Sequence, residues 1–418
     1  MTAQAHPILV VGGGVSGITA ALEAAETGHD VVLVEKGPSL GGRVAAFHQY
    51  FPKLCPPTCG LEVNYQRLRR NRRIQVHTST EVAAISGAAG DFTVRLVKSP
   101  PYVNRNCVLC DLCTPACPVD VPSTHDFGMK TVKAIHLPHR MAWPPRYVIE
   151  RNHCPSGCAR CAEACPYGAV DLAMAPREVE VHAASIVVAT GWRPYDARKL
   201  TRLGFGADAD VITNVMMERL AAADGPTGGD IRRPSDGRRV ERIAFVQCAG
   251  SRDQGHLPYC SSVCCLASLK QAQYVRTANP ASKAYVFYID IRTPGKYEGF
   301  YSRAKADPNI EFVNGKVAKV ERNPDGQMIV EAEDILRGHK IQVAVDLVVL
   351  ATGMESNLKV EGLAGLPIRL DADGFASAHL QQPGIFAAGV AQSPVDVNSS
   401  VQEATGAALR AIQVRLAT

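Results

Sequence analysis

Short, unbroken apolar runs recur along the chain: ILVV (8–11), VVLV (31–34), SIVV (185–188), IAFV (243–246) and LVVL (347–350). Runs of this length without polar alternation predict strands covered on both faces, the habit of a parallel sheet. ITAALEAAETG (18–28) separates the first two and reads as a helix with Gly28 past its end. RIAFVQ (242–247) leads instead through a cysteine-bearing loop into helical YVR-ending sequence. The proline-rich HLPHRMAWPP (136–145) predicts an ordered loop rather than a helix. No run reaches the roughly 18 apolar residues that would span a bilayer, and the N-terminus enters a strand with no charged n-region. A soluble chain without a secretion signal is expected.

Composition narrows the class. The chain has 418 residues, 46% of them apolar and 20% charged, which predicts a globular protein of several domains. The net charge is +5 with basic residues scattered. QRLRRNRR (66–73) is the densest cluster and reads as a solvated helix face, so no nucleic-acid partner is expected. Fourteen cysteines are many for this length. Eight lie in two tight runs, which points to metal clusters in a reducing cytoplasm rather than to a disulfide framework.

Gly12, Gly14 and Gly17 form G-x-G-x-x-G between the first strand and its helix. The first permits the tight turn, the second lets backbone approach a pyrophosphate, and the third lets helix and strand pack closely. The helix N-terminus offers free N–H groups to phosphate. Glu35 ends the second strand, where a carboxylate accepts from ribose hydroxyls. Lys36 follows it, and GGR places Gly42 and Arg43 just beyond. This continuation resembles the thioredoxin-reductase-like flavoproteins with two dinucleotide-binding domains, and so implies FAD. Two ATG turns (189–191 and 351–353) resemble the ends of nucleotide-binding halves in that group, putting Thr190 and Gly191 at the cofactor, with Val82 also expected there. GIFAAGV (384–390) resembles the group's last FAD segment, with Gly389 in place. Val390, however, stands where an Asp commonly binds the ribityl chain, so that contact must be made differently.

Cys107, Cys110, Cys113 and Cys117 follow x2, x2, x3 spacing and precede a proline. This is the bacterial ferredoxin run for [4Fe–4S], in which the fourth cysteine serves the other cluster. Cys154, Cys158, Cys161 and Cys165 follow x3, x2, x3. The expected quartets are therefore Cys107, Cys110, Cys113 with Cys165, and Cys154, Cys158, Cys161 with Cys117. Four-cysteine zinc sites use separated pairs rather than triplets closed by Cys-Pro. SPPYVNRN (99–106) and PPRYVIERNH (144–153) form a near-repeat that fits ferredoxin pseudo-symmetry. The domains expected are FAD-binding over 1–100, an inserted ferredoxin module over 101–178, an FAD-domain return strand over 179–200, a degenerate nucleotide-binding domain over 201–355, and a last FAD segment over 356–418.

After RIAFVQ a nicotinamide-binding domain would carry a second glycine-rich loop. CAGSRDQGHLPYCSSVCCLASLKQA (248–272) stands there instead. Cys248, Cys260, Cys264 and Cys265 suit a third [4Fe–4S] cluster; buried thiols or a redox disulfide are the plainer readings. Cys264 and Cys265 fall at a helix start, a position that favours thiolate. Lys270 is either a snorkelling surface lysine or a charge beside the flavin ring, with Glu218 as a candidate counter-charge. Without a phosphate loop for a nicotinamide, the flavin is expected to trade electrons with iron.

CAGSRD…PYCSSVCCLASLKQA, VFYIDIRTPGKYEGFY and GIFAAGVAQSPVDVNSSVQEATGAA, with the double-cluster insertion, resemble the family of heterodisulfide reductase A-subunits over nearly the whole chain. The resemblance implies that the 248/260/264/265 set ligates a flavin-adjacent cluster and that Lys270 contacts flavin. Within that family, YFPKLCPPTCGLEVN, ATGWRPYDA and VITNVMMERLAAADGPTGG look like the A-subunit of the quinone-interacting membrane-bound oxidoreductase. That likeness implies a cytoplasmic subunit held at the inner membrane by partners: a second flavin and iron–sulfur subunit, and a quinone-reactive haem membrane subunit. Electrons would pass between the quinone pool and APS reductase in dissimilatory sulfur metabolism. The alternative is an electron-bifurcating subunit working with soluble partners. Cys55 and Cys59 in CPPTC stay open between cluster ligands, a redox disulfide and inert thiols.

Overall fold

The computed structural model describes residues 6–51, 54–361, 368–379 and 381–417. The chain divides into two compact units. One comprises residues 1–46, 55–192 and 356–418, and the other 47–54 and 193–355. The second unit takes up the chain at Arg193 and includes the short segment 47–54.

The first unit is built on a parallel five-stranded sheet, in the order Ile385–Ala387, Ser185–Val188, Ile8–Val11, Val31–Val34, Ile74–His77. The unbroken apolar runs are explained by two covered faces. Ile8, Val10, Val31 and Leu33 pack on helices Val15–Glu26, Pro57–Arg70 and Val397–Ala417. Leu9, Val11, Val32 and Val34 pack on an antiparallel meander of Thr80–Ala88, Asp91–Lys98 and Arg177–Ala183. Alternate side chains of one apolar strand thus fill two different cores. Ala404, Ala407, Ala408 and Ala411 are almost wholly buried in the same core as Ala20, Ala21 and Ala24, small side chains that allow close helix packing.

The cysteine-rich insertion leaves this meander at Lys98 and returns at Arg177. It contains two short antiparallel pairs, Asp120–Pro122 with Thr131–Lys133 and Ile135–His136 with Val148–Ile149. Its helices, Cys113–Ala116 and Arg160–Glu163, are single turns. Residues 136–147 form no helix, as the prolines require. The core comprises Val103, Val121, Ile135, Ile149 and Ala169 together with the cysteines themselves.

The second unit repeats the plan. Its parallel sheet runs Val211–Thr213, Leu347–Thr352, Arg242–Ala249, Lys283–Tyr288, Ile310–Asn314. One face packs on the meander Val317–Arg322, Met328–Asp334, His339–Val345. Helices Asn214–Ala221, Cys264–Ala278 and Glu298–Lys305 also belong to this unit. No helix of the described residues is long and apolar enough to cross a membrane.

Candidate cofactor and metal-ligating sites

The turn after Val11 is shaped by backbone proximity. Gly12 has φ +111°, and a Cβ there would lie 2.2 Å from the Ala189 carbonyl oxygen. A Cβ at Gly17 would lie 1.7 Å from the Gly12 oxygen, so the helix can pack on the turn only with glycine at 17. Gly14 caps helix Val15–Glu26 with no side-chain hydrogen bond and no acidic residue in the first turn. The N–H groups there stay available to an anion. Gly42 faces Gly14 closely: a Cβ on it would come 2.8 Å from the Gly14 Cα.

The other expected cofactor residues are placed as follows. Glu35 accepts the backbone N–H of Gly13 and of Gly37, each at 2.6 Å. Burial raises its pKa against those two N–H groups. Lys36 is exposed and turned to Glu361 at 3.3 Å and Glu81 at 3.6 Å. Arg43 Nε donates to the Trp192 carbonyl at 2.6 Å, with its guanidinium over the Trp192 ring. Val82 is buried against the sheet. The Asn357 side chain donates to the Thr190 carbonyl and its backbone N–H to the Gly191 carbonyl, which fixes the first ATG turn. Thr190 Oγ1 is buried with no partner in the protein, as is Gln392 Oε1 beyond Gly389 and Val390. Orphaned polar atoms beside an open helix N-terminus fit a dinucleotide with its own hydroxyls and carbonyls. Sequence reasoning missed Glu403, whose carboxylate lies near the Gly389 N–H and whose pKa burial raises against that N–H. It lies inside helix Val397–Ala417, with no motif to mark it.

In the insertion, Cys107, Cys110, Cys113 and Cys165 line one pocket with Val103, Ile135, Tyr147 and Ala169. Cys161 lies within electrostatic reach of Cys117 and Cys154. Leu109 and Asp111 take left-handed φ of 59° and 64°, which lets the x2 loop wrap; in the second run Gly157, at 72°, takes that role beside the extra residue. Burial pushes the Cys113 thiol up to about 11 and raises Cys161. Cys165 behaves otherwise: burial opposes ionisation, but backbone N–H groups from Tyr167 to Val170 outweigh it and lower its pKa.

In the second unit, Cys248 lies at the end of strand Arg242–Ala249 with φ +55°, and Cys264 and Cys265 open helix Cys264–Ala278. Cys248, Cys260 and Cys265 all act on the buried Cys264. The helix start does not favour thiolate here. Burial raises Cys248, pushes Cys265 up to about 11, and sends Cys264 well above its usual value. Desolvation exceeds the helix dipole, whose effect is confined to about 0.3–2 kcal/mol. No disulfide links any two cysteines among the described residues.

The spacing of the sulfurs discriminates between metals. Tetrahedral zinc, with Zn–S about 2.3 Å, would hold four sulfurs roughly 3.8 Å apart. Among the described residues, no three cysteine sulfurs come within 4.8 Å of one another; only His6, Asp91 and His182 form such a group. Such separations are wider than a tetrahedral zinc site requires and fit a larger, thiolate-ligated core.

Lys270 is buried, contrary to the surface reading, and so is Glu218. The ammonium donates to the Gln49 carbonyl and to Glu218, and lies over the rings of Phe47 and Tyr274. Glu218 also accepts from Gln271, Tyr274 and the His48 N–H. Sequence reasoning also missed Arg252, Asp290 and Arg292 around the Cys248 set. The signal was present: ligands sit at the carboxyl ends of parallel strands, and these residues follow the neighbouring strands that end at Ala249 and Tyr288.

A family model described as FAD dependent oxidoreductase matches residues 7–106. The fold is similar to that of thioredoxin reductase from Lactococcus lactis, at 14% identity and TM-score 0.54, covering 99% of this chain and 100% of that one. It is similar also to a bacillithiol disulfide reductase from Bacillus cereus, at 12% identity and TM-score 0.53, covering 99% and 100%. The chain thus has the thioredoxin-reductase-like fold, with the FAD dependent oxidoreductase match over residues 7–106. Curated relatives narrow this. It is 37% identical over 415 residues to the A-subunit of the H2:CoB-CoM heterodisulfide,ferredoxin reductase of Methanothermobacter marburgensis, covering 96% of this chain and 63% of that protein. It is 40% identical over 416 residues to the second iron-sulfur A-subunit of the CoB–CoM heterodisulfide reductase of Methanopyrus kandleri, with the same coverages. A ferredoxin/F420H2-dependent relative from Methanosarcina acetivorans is 38% identical over 425 residues, covering 97% and 53%. Over nearly its whole length the chain is homologous to these heterodisulfide reductase A-subunits, and it spans between about half and two-thirds of their length.

Proposed function

We propose that the chain is an electron-transfer subunit carrying FAD and three [4Fe–4S] clusters, acting in a heterodisulfide-reductase-type complex with soluble partners. The observation that carries this is the Cys248, Cys260, Cys264, Cys265 set at the carboxyl end of the second parallel sheet. In a thioredoxin-reductase-like fold that is the place for a nicotinamide phosphate loop. The ferredoxin-type quartets are Cys107, Cys110, Cys113 with Cys165, and Cys154, Cys158, Cys161 with Cys117. Support comes from the shared pocket of the first and, in the second, from the electrostatic action of Cys117 and of Cys154 on Cys161.

When bound, FAD exchanges electrons in pairs or singly and the clusters singly, which together suit splitting a two-electron donor. The chain's own residues prepare this. The open N-terminus of helix Val15–Glu26 receives the pyrophosphate, Glu35 lies at the ribose end, and Thr190 offers an unused hydroxyl. Raised thiol pKa values mean that metal must displace protons from Cys113, Cys161, Cys248, Cys264 and Cys265 on binding.

The names of the relatives favour this reading over exchange between a quinone pool and APS reductase. Purification of the native complex decides. Co-purification of a hydrogenase, formate dehydrogenase or heterodisulfide-reducing subunit, with ferredoxin-dependent activity, is expected. A haem-containing membrane subunit with quinol oxidation would establish the quinone-linked reading at the inner membrane instead. Anaerobic protein should hold about twelve irons per chain, from three four-iron cubanes, and its flavin should not be reduced by NADH.

A further inference from the structure

The segment IDIRT (289–293) carries no cysteine, yet it closes over the third cysteine set. The Arg252 guanidinium acts electrostatically on Cys248, and Cys260 on that of Arg292. Asp290 joins the two arginines: its carboxylate lies 2.5 Å from Arg252 Nη1 and 3.4 Å from Arg292 Nη2. The same segment reaches a third sulfur. Cys265 Sγ donates to the Asp290 carbonyl at 3.6 Å, and the Arg292 backbone N–H points to Cys265. The Ser262 N–H donates to Cys260 at 3.4 Å. Arg252 and Ser262 hold left-handed φ of 57° and 62°, beside Cys248 at 55°. Non-glycine residues rarely take such φ, so this loop keeps a strained shape at the sulfurs.

We infer that Arg252, Asp290 and Arg292 are a charge clamp that sets the reduction potential of the cluster held by Cys248, Cys260, Cys264 and Cys265. This rests on the third-cluster reading. A four-thiolate cubane gains negative charge on reduction, so cations and N–H donors at its sulfurs stabilise the reduced form and raise the potential. Two guanidiniums and one carboxylate leave a net positive charge at the site. Asp290 has two opposed effects: it orients both arginines and offsets part of their charge. These are positioning residues, acting through the ligands.

The clamp is tested on the full anaerobic holoprotein by redox titration followed by EPR. The third cluster's signal is the one missing in Cys264→Ser. Arg252→Gln and Arg292→Gln should each shift its midpoint to more negative potential and leave the two ferredoxin-type signals unmoved. Arg292→Lys should return most of the shift. Asp290→Asn should move the midpoint the opposite way, which support of the loop alone would not do. Unchanged midpoints in both Gln variants at full iron content overturn the clamp. So does loss of the third cluster's iron in both with an unshifted Arg292→Lys, which would make the arginines scaffolding. Wild-type protein with only about eight irons, two cubanes' worth, would instead defeat the third-cluster reading itself.

Discussion

Lys270 Nζ lies 3.0 Å from Glu218 Oε1, and both side chains are almost wholly buried in the second unit. The pair joins helices Asn214–Ala221 and Cys264–Ala278, and hydrogen bonds hold the segment at His48 and Gln49 to it. Removing one member leaves a buried charge uncompensated, which costs about 3–5 kcal/mol. Glu218→Gln and Lys270→Met should each lower the denaturation midpoint by that order. The double variant should lose clearly less than the sum. Additive losses in a double-mutant cycle would show that the two side chains are not coupled.

Thr190 Oγ1 is buried with no partner in the protein. If FAD supplies that partner, Thr190→Val should weaken flavin retention by about 0.5–1.5 kcal/mol, roughly two- to tenfold. The flavin-free protein should lose nothing, since no hydrogen bond of that hydroxyl within the chain is broken. Equal FAD dissociation constants for the two proteins would place the hydroxyl away from the cofactor.

The central strands of both sheets were legible because they are unbroken apolar runs, the habit of parallel strands covered on both sides, whereas flanking strands such as Ile74–His77 and Ile310–Asn314 carry polar residues and gave no such signal. The glycine turn and the ferredoxin-type cysteine runs were legible because local spacing carries their chemistry. Long-range pairing was legible where two residues of opposite charge lay in recognisable helices, as with Glu218 and Lys270. What escaped had no local signature. The burial that raises Cys264 and Cys265 depends on strands from elsewhere in the unit, so position at a helix start pointed in the wrong direction. Phe47–Leu54 joins the second unit although its neighbours in sequence belong to the first. Lys36 lies at the expected place but pairs with Glu81 and Glu361, the latter 325 positions away.

Cys165 lines a pocket with Cys107, Cys110 and Cys113, although in sequence it belongs to the other run. Cys165→Ser should therefore alter the same EPR signal as Cys110→Ser, and Cys117→Ser the same signal as Cys158→Ser. Spectra grouped by sequence run instead would overturn the exchanged ligation. The Cys107 set also has N–H groups from Tyr167 to Val170 at one sulfur. These donors should be sensed as a more negative midpoint for that cluster when Ala169→Pro removes the 3.4 Å N–H bond to Cys165.

The raised thiols set a pH dependence for the protein without its clusters. Burial pushes Cys265 from an ordinary value of 9.0 up to about 11, and Cys113 likewise. Between those values the folded thiol keeps its proton while the unfolded one has lost it. The unfolded state then binds fewer protons, so stability falls as pH rises. Stability from these groups is complete below about pH 9 and is lost through about pH 11, at up to about 1.4 kcal/mol per pH unit for each thiol. Alkylation of the metal-free protein should accelerate across that window, and its melting temperature should fall. The cluster-loaded protein should show neither change there, because its thiols are already deprotonated by the metal. Fast alkylation of Cys265 in folded, metal-free protein near pH 8 would show that the helix start, not burial, governs this sulfur.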